Sequence, residues 1–253
     1  KFDLYESNID PYLRFTHKME IKMAGWVKAK ALTQDMDMSR CQHSYICHYQ
    51  NVRPYDKQDI CNLTIGSWDI EAFSYSSRHL NLNEFPNPEN PLDIVTQIGT
   101  SLYKFGTKEQ VKHVVTIKSP IDNDCDPVDG VIIETYDTEK ELIEGWVKFI
   151  KDTDPDILVQ YNGYGFDWSY LYARAKVLDI EYVLQNLSRI NSKPAEFFES
   201  RLSTSAYGDN TMKYMKTHGI TQFDLMFIIK KEHKLFEKLL FSSYFLLRCK
   251  NNK

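Results

Sequence analysis

The chain has 253 residues, a hydrophobic fraction of 42%, an aromatic fraction of 13% and a formal net charge of −4. That composition supports a packed core in one large domain or one and a half and argues against disorder, and no apolar run approaches the roughly 18 residues of a membrane span. Mild acidity does not mark a nucleic-acid binder, and five scattered cysteines with no signal peptide after Lys1 read as reduced thiols of an intracellular fragment.

Residues 1–62 read as part of a β-rich N-terminal domain. Cys41, His43, Tyr45, Cys47 and Tyr49 alternate as one face of a strand, with His48 turned away. A structural zinc site draws on two separated ligand pairs, and no second pair follows, so the plain strand is preferred. Pro54, Tyr55, Asp56 and Asp59 suit a connector.

Residues 63–73 are predicted as the first strand of the main domain. Alternation puts Asp69 and Glu71 on one face and Trp68 and Ile70 on the other. Two carboxylates held that close repel unless a cation lies between them, and hard divalent ions take oxygen ligands. A third carboxylate should come from another segment. The bland alternative is a solvated edge strand.

Residues 81–91, rich in Asn and Pro, are predicted as a loop, and residues 93–105, 111–118 and 131–136 as strands. Residues 122–130 resemble a calcium loop but fail it. Pro127 stands where glycine is needed and Ile133 where glutamate is needed, so the stretch reads as an acidic turn. Thr138 and Glu141 form a capping box for a helix that buries Leu142, Ile143, Trp146, Val147 and Ile150. On it Glu144 should pair with Lys148. Asp154, Pro155 and Asp156 stop the helix, and residues 157–161 read as a buried strand.

Asn162 and Gly163 turn the chain into a second helix near Asp167, followed by Trp168, Leu171, Tyr172 and Ala175. Asp167 is the candidate third carboxylate; a helix N-cap is its structural alternative. Residues 191–223 look polar and irregular. Within them Ala206 to Asp209 resembles a polymerase metal motif but lacks its second aspartate, and reads as a turn. From Lys213 onward nine basic residues face Asp224, Glu232 and Glu237. They are either a solvated surface or the basic surround of an acidic pocket. The order of elements is α/β, a mixed sheet flanked by helices of the ribonuclease-H-like kind.

With these residues placed, residues 1–235 resemble the front part of a family B DNA polymerase of the delta type or of large DNA viruses. Asp69, Ile70 and Glu71 match its first exonuclease motif. Tyr161, Asn162, Phe166 and Asp167 match its second, and Ser169, Tyr170 and Leu171 continue it. Residues 5–8, 13–15 and 221–229 match flanking stretches. The resemblance implies a 3′–5′ exonuclease domain over residues 63–235 that proofreads DNA replication. It implies two Mg²⁺ or Mn²⁺ ions on Asp69, Glu71 and Asp167. Tyr161, Asn162 and Phe166 would hold the single-stranded 3′ end, Phe166 also being open to ordinary core packing.

Implied partners are primer-template DNA, the remaining polymerase domains, and a sliding clamp or accessory subunit, in the nucleus or at a viral replication site, with no membrane. Residues 236–253 depart from the family, as a frameshifted end, a gene fragment or a divergence. The third exonuclease motif, Tyr-x3-Asp, is not reached, because Arg248 follows Tyr244 at that spacing. The alternative reading is therefore a catalytically incomplete DNA-binding or structural remnant.

Overall fold

The computed structural model describes residues 7–35, 37–80, 84–118, 126–204 and 208–233. The chain divides into two compact units, Lys1–Cys61 with Ile190–Ser192, and Asn62–Arg189 with the residues from Lys193 onward.

In the first unit, helix α1 (Pro11–Lys18) opens on Asp10, whose carboxylate accepts the Tyr12 and Leu13 N–H groups at 2.8 and 3.3 Å. Strands β1 (Val27–Ala29) and β4 (Val52–Pro54) pair antiparallel, as do β2 (Thr33–Gln34) and β3 (Tyr45–Ile46). The strand expected across Cys41–Tyr49 shrinks to Tyr45–Ile46. His48 accepts the Gln50 N–H through its ring nitrogen and opens a 3-10 turn, Tyr49–Asn51, which ends the extended run.

The second unit runs β5 (Thr64–Ala72), α2 (Tyr75–Leu80), β6 (Val95–Lys104), β7 (Gln110–Ile117), β8 (Val131–Tyr136), α3 (Glu139–Thr153), β9 (Ile157–Gln160), α4 (Asp167–Val177), α5 (Glu181–Gln185), β10 (Glu196–Thr204), β11 (Gly208–Lys216), β12 (Thr221–Asp224) and α6 (Leu225–His233). Six strands form one sheet in the order β12-β9-β5-β6-β7-β8. Pairing is antiparallel at β5–β6 and β6–β7, and parallel at β12–β9, β9–β5 and β7–β8. This is the mixed sheet flanked by helices of a ribonuclease-H-like domain. β5 lies inside the sheet between β9 and β6, but its pairing with β9 ends at Ser67, so at Asp69 and Glu71 its paired neighbour is β6.

The capping box forms as the sequence requires, with Thr138 and Glu141 each accepting the other's backbone N–H. The five apolar residues predicted to face inward on α3 are all buried. Lys148 pairs forward with Asp152 rather than with Glu144. Asp154 takes the left-handed conformation, φ 44°, that ends α3.

Residues 191–223 are not irregular. β10 and β11 make a nine-residue antiparallel ladder. It reads as polar because it stands outside the main sheet, and its apolar residues meet helix and loop instead: Phe197 stacks on Tyr172, with ring centroids 4.1 Å apart. Ala206 and Tyr207 lie outside the described residues, as do residues 122–125 of the acidic turn and most of the basic tail.

Arg174 ties the helices to the loop before β6. Its Nε and one terminal nitrogen donate to Glu139 at 2.9 and 2.6 Å, and the other donates to the Pro88 and Asn90 carbonyls. Glu139 in turn accepts the Val95 N–H at 2.8 Å. Asp93 accepts from the Tyr75 and Asn87 N–H groups and the Asn90 amide. These bonds fix both ends of the segment that carries Phe85.

Candidate active site

Along β5 the side chains alternate as predicted: Ser67, Asp69 and Glu71 are exposed, Trp68 and Ile70 buried. The last β5–β9 pair is Ser67 with Val159, so the chain leaving β9 lies level with Asp69. Trp68 then meets Trp146 of α3 and Trp168 of α4, both at 4.6 Å between ring centroids. Two of the three tryptophans neighbour an acid in sequence, Asp69 after Trp68 and Asp167 before Trp168. The ring packing holds α4 against β5, the two elements that carry these acids. Trp146 is itself fixed by its indole N–H to the Thr100 hydroxyl, 3.1 Å.

Asp167 is 3% exposed and is the first residue of α4, not its cap; the capping position is Phe166, which makes no side-chain cap bond. Burial raises the Asp167 pKa to about 7, and the charge of Asp69 and a hydrogen bond shared with it add to the rise. The N–H groups of Asp167 and Ile70 oppose it only partly. The Glu71 pKa is also raised, first by burial and then by Asp69. Asp69 thus acts on both other acids, sharing a hydrogen bond with Asp167 and repelling the charge of Glu71.

The loop between β9 and α4 is shaped tightly. Asn162 has φ 62°, and its carbonyl accepts the N–H groups of Gly165 and Phe166 at 3.0 Å each. A side chain at Gly163 would put its Cβ 2.4 Å from the Gln160 amide carbon, and Gln160 is buried, so only glycine fits. Phe166 is half-buried between Tyr170, 5.3 Å, and Phe85, 5.2 Å. Phe85 is 77% exposed and presents its ring beside the loop. Tyr161 is exposed, and burial of part of its ring together with the Asp224 charge raises its hydroxyl pKa.

Two residues of this neighbourhood carry no sequence signal pointing to it. Phe85 sits in a Pro- and Asn-rich loop that reads as plain connection. Asp224 ends β12, yet its carboxylate accepts the N–H groups of Asn162 and Tyr164 at 2.9 and 3.0 Å.

The donor set is all carboxylate oxygen, which suits a hard divalent cation. The proton that Asp167 retains against Asp69 marks a charge conflict of the kind such an ion relieves. Among the described residues no three His, Cys, Asp or Glu side chains are already gathered as a metal cage. The residues fit the ion in chemistry, and the charge of Asp69 acts on both Asp167 and Glu71.

A ribonuclease-H-like sheet bearing paired acids on its central strand defines a class of nucleic-acid-processing domains. The model of the DNA polymerase family B exonuclease domain matches residues 2–246, and the chain belongs to that family. Relatives include the DNA polymerase of Acanthamoeba polyphaga mimivirus, 27% identical over 88% of this chain and 15% of the relative. The DNA polymerase of Paramecium bursaria Chlorella virus NY2A is 28% identical over 93% of this chain and 25% of its own length. The DNA polymerase delta catalytic subunit of Oryza sativa subsp. japonica is 31% identical over 92% of this chain and 21% of its own. The chain therefore spans between about a seventh and a quarter of these relatives.

Proposed function

We propose that this chain is the proofreading part of a DNA-directed DNA polymerase, a 3′–5′ exonuclease domain that trims single-stranded 3′ ends during DNA replication in the nucleus or at a viral replication site. The observation that carries this reading is the contact of Asp69 with Asp167, brought together from two distant motifs, with Glu71 next along the same strand. Those three side chains would hold Mg²⁺ or Mn²⁺ ions. Bound there, the ions would supply a water acidic enough to attack and charge to stabilise the departing 3′ oxygen.

The chain's own residues account for the rest. Asp167 gives up its proton as the site loads, leaving a full set of anionic ligands. Phe166 and Phe85 offer ring faces on which any unpaired base can stack, so the domain selects for frayed ends rather than for sequence. Tyr161 and Asn162 reach the sugar and phosphate of the last nucleotides. A paired end keeps its bases stacked on each other and cannot use those rings.

A second reading, a DNA-binding remnant without turnover, is motivated by the three acids not being gathered as a metal cage among the described residues. A labelled single strand incubated with Mg²⁺ or Mn²⁺ distinguishes the two. Shortening from the 3′ end by wild type, falling on the order of a hundredfold or more in Asp69→Ala, supports the exonuclease. Equal shortening by both proteins refutes the carboxylate assignment, and binding with no shortening selects the remnant. The other polymerase domains and a clamp or accessory subunit are the further partners this reading entails.

A further inference from the structure

We infer that Asp224 is a positioning residue for the proposed exonuclease site, acting through the backbone of the loop that delivers Phe166 and Asp167. Asp224 is 4% exposed. What surrounds its carboxylate is peptide N–H: Asn162 at 2.9 Å and Met226 at 3.0 Å on one oxygen, Tyr164 at 3.0 Å on the other. A buried carboxylate is costly unless donors surround it, and three charge-assisted bonds from the backbone are what this one receives.

Two of those three donors belong to the loop, and their geometry is particular. Asn162 and Tyr164 flank Gly163, so the two oxygens of one carboxylate grip the turn from both sides. The turn includes a non-glycine residue at positive φ, a conformation that costs free energy unless the surroundings impose it. Within the loop, the Asn162 carbonyl then accepts from Gly165 and Phe166, and the Gly163 carbonyl from Trp168. Fixing Asn162 and Tyr164 therefore fixes the first turn of α4, where Asp167 sits. On the other side, β12 is held to β9 by parallel pairing from Thr221 to Asp224, so the grip is anchored in the sheet. The Met226 bond alone would make Asp224 a cap for α6. The bonds across some sixty residues to the loop have no part in capping that helix.

The inference rests on the exonuclease reading for its purpose, but its test does not depend on turnover. Amide hydrogen exchange and Mn²⁺ titration are measured on the full chain as wild type, Asp224→Ala and Asp224→Asn. Asp224→Ala is expected to speed exchange at Asn162 and Tyr164 while leaving β5, β6 and β7 as protected as before. Mn²⁺ affinity should weaken by about 10–100-fold, the usual effect of losing a group that orients ligands. Asp224→Asn keeps one oxygen acceptor and should fall between the two. Unchanged protection at Asn162 and Tyr164 overturns the inference, as does exchange that quickens evenly through the sheet, or Mn²⁺ affinity that stays at the wild-type value while the loop loosens. If the alanine variant does not fold, the asparagine variant decides by the same criteria. If wild type binds no Mn²⁺, the exonuclease reading has failed. The exchange pattern then decides whether Asp224 holds the loop.

Discussion

Asp167 keeps a proton in the folded chain up to about pH 7, whereas the same carboxyl ionises near 3.8 when unperturbed. A raised pKa means that the proton favours the folded state. That contribution is complete below 3.8 and is lost as pH rises towards 7, because the unfolded chain ionises first. Thermal melts should therefore show wild type losing stability relative to Asp167→Asn between pH 4 and 7. Mn²⁺ competes with that proton, so the rise in Tm on adding Mn²⁺ should be larger at pH 8 than at pH 6. An Mn²⁺ effect independent of pH would mean that the ion does not use Asp167. The exposed ring of Phe85 makes a separate prediction. Phe85→Ala and Phe166→Ala should each weaken single-strand binding by about 1–3 kcal/mol with no change in its salt dependence, since stacking releases no counterions. Titration of a fluorescent oligonucleotide at several salt concentrations checks this.

Elements whose stability is written locally were the legible ones. Helix α3 announces its start with Thr138 and Glu141 and its inner face with five apolar residues at helical spacing, and β5 shows its two faces by alternation. The first acidic pair could be read because it sits on β5, whereas Asp167 lies where the loop from β9 enters α4 and was read from the residues around it. The β10–β11 hairpin was invisible because its apolar residues meet partners far away in sequence, such as Tyr172 and Tyr164, so no local period marks it. Helix α2 has six residues and none buried, which leaves no pattern to read. Asp224 and Arg174 act on backbone groups more than fifty residues away, and a sequence carries no mark of an acceptor or donor at that range.

The Arg174 connection has a measurable energy. Arg174→Met leaves Glu139 buried without its partner and should destabilise the fold by about 3–5 kcal/mol. Pairing it with Glu139→Gln should recover part of that loss. Denaturant unfolding of both variants measures it. For comparison, Thr138→Ala removes one cap and should cost about 1 kcal/mol.

At the scale of the whole molecule, the two compact units are joined in sequence by Tyr55–Asn62, which is exposed and has no regular structure. Trypsin should cut early at Lys57, while Arg174, buried and bonded on both sides, is reached only after unfolding. Mass spectrometry of a time course tests that order. Among the described residues no helix is long and apolar enough to cross a membrane.

The acids that meet at the centre of the sheet are separated by about a hundred positions in the chain, and the strand that backs their loop is later still. On the ribosome, Asp69 and Glu71 emerge first and wait for Asp167, and β12 cannot join the sheet until residue 224 has cleared the exit tunnel. At the usual 5–20 residues per second, that delay is on the order of ten seconds. During it, a nascent chain carries unmatched negative charge with no means of gripping an ion. On the proposed reading the site is therefore completed late, because the loop that carries Asp167 gains its bonds to Asp224 only once β12 has joined the sheet.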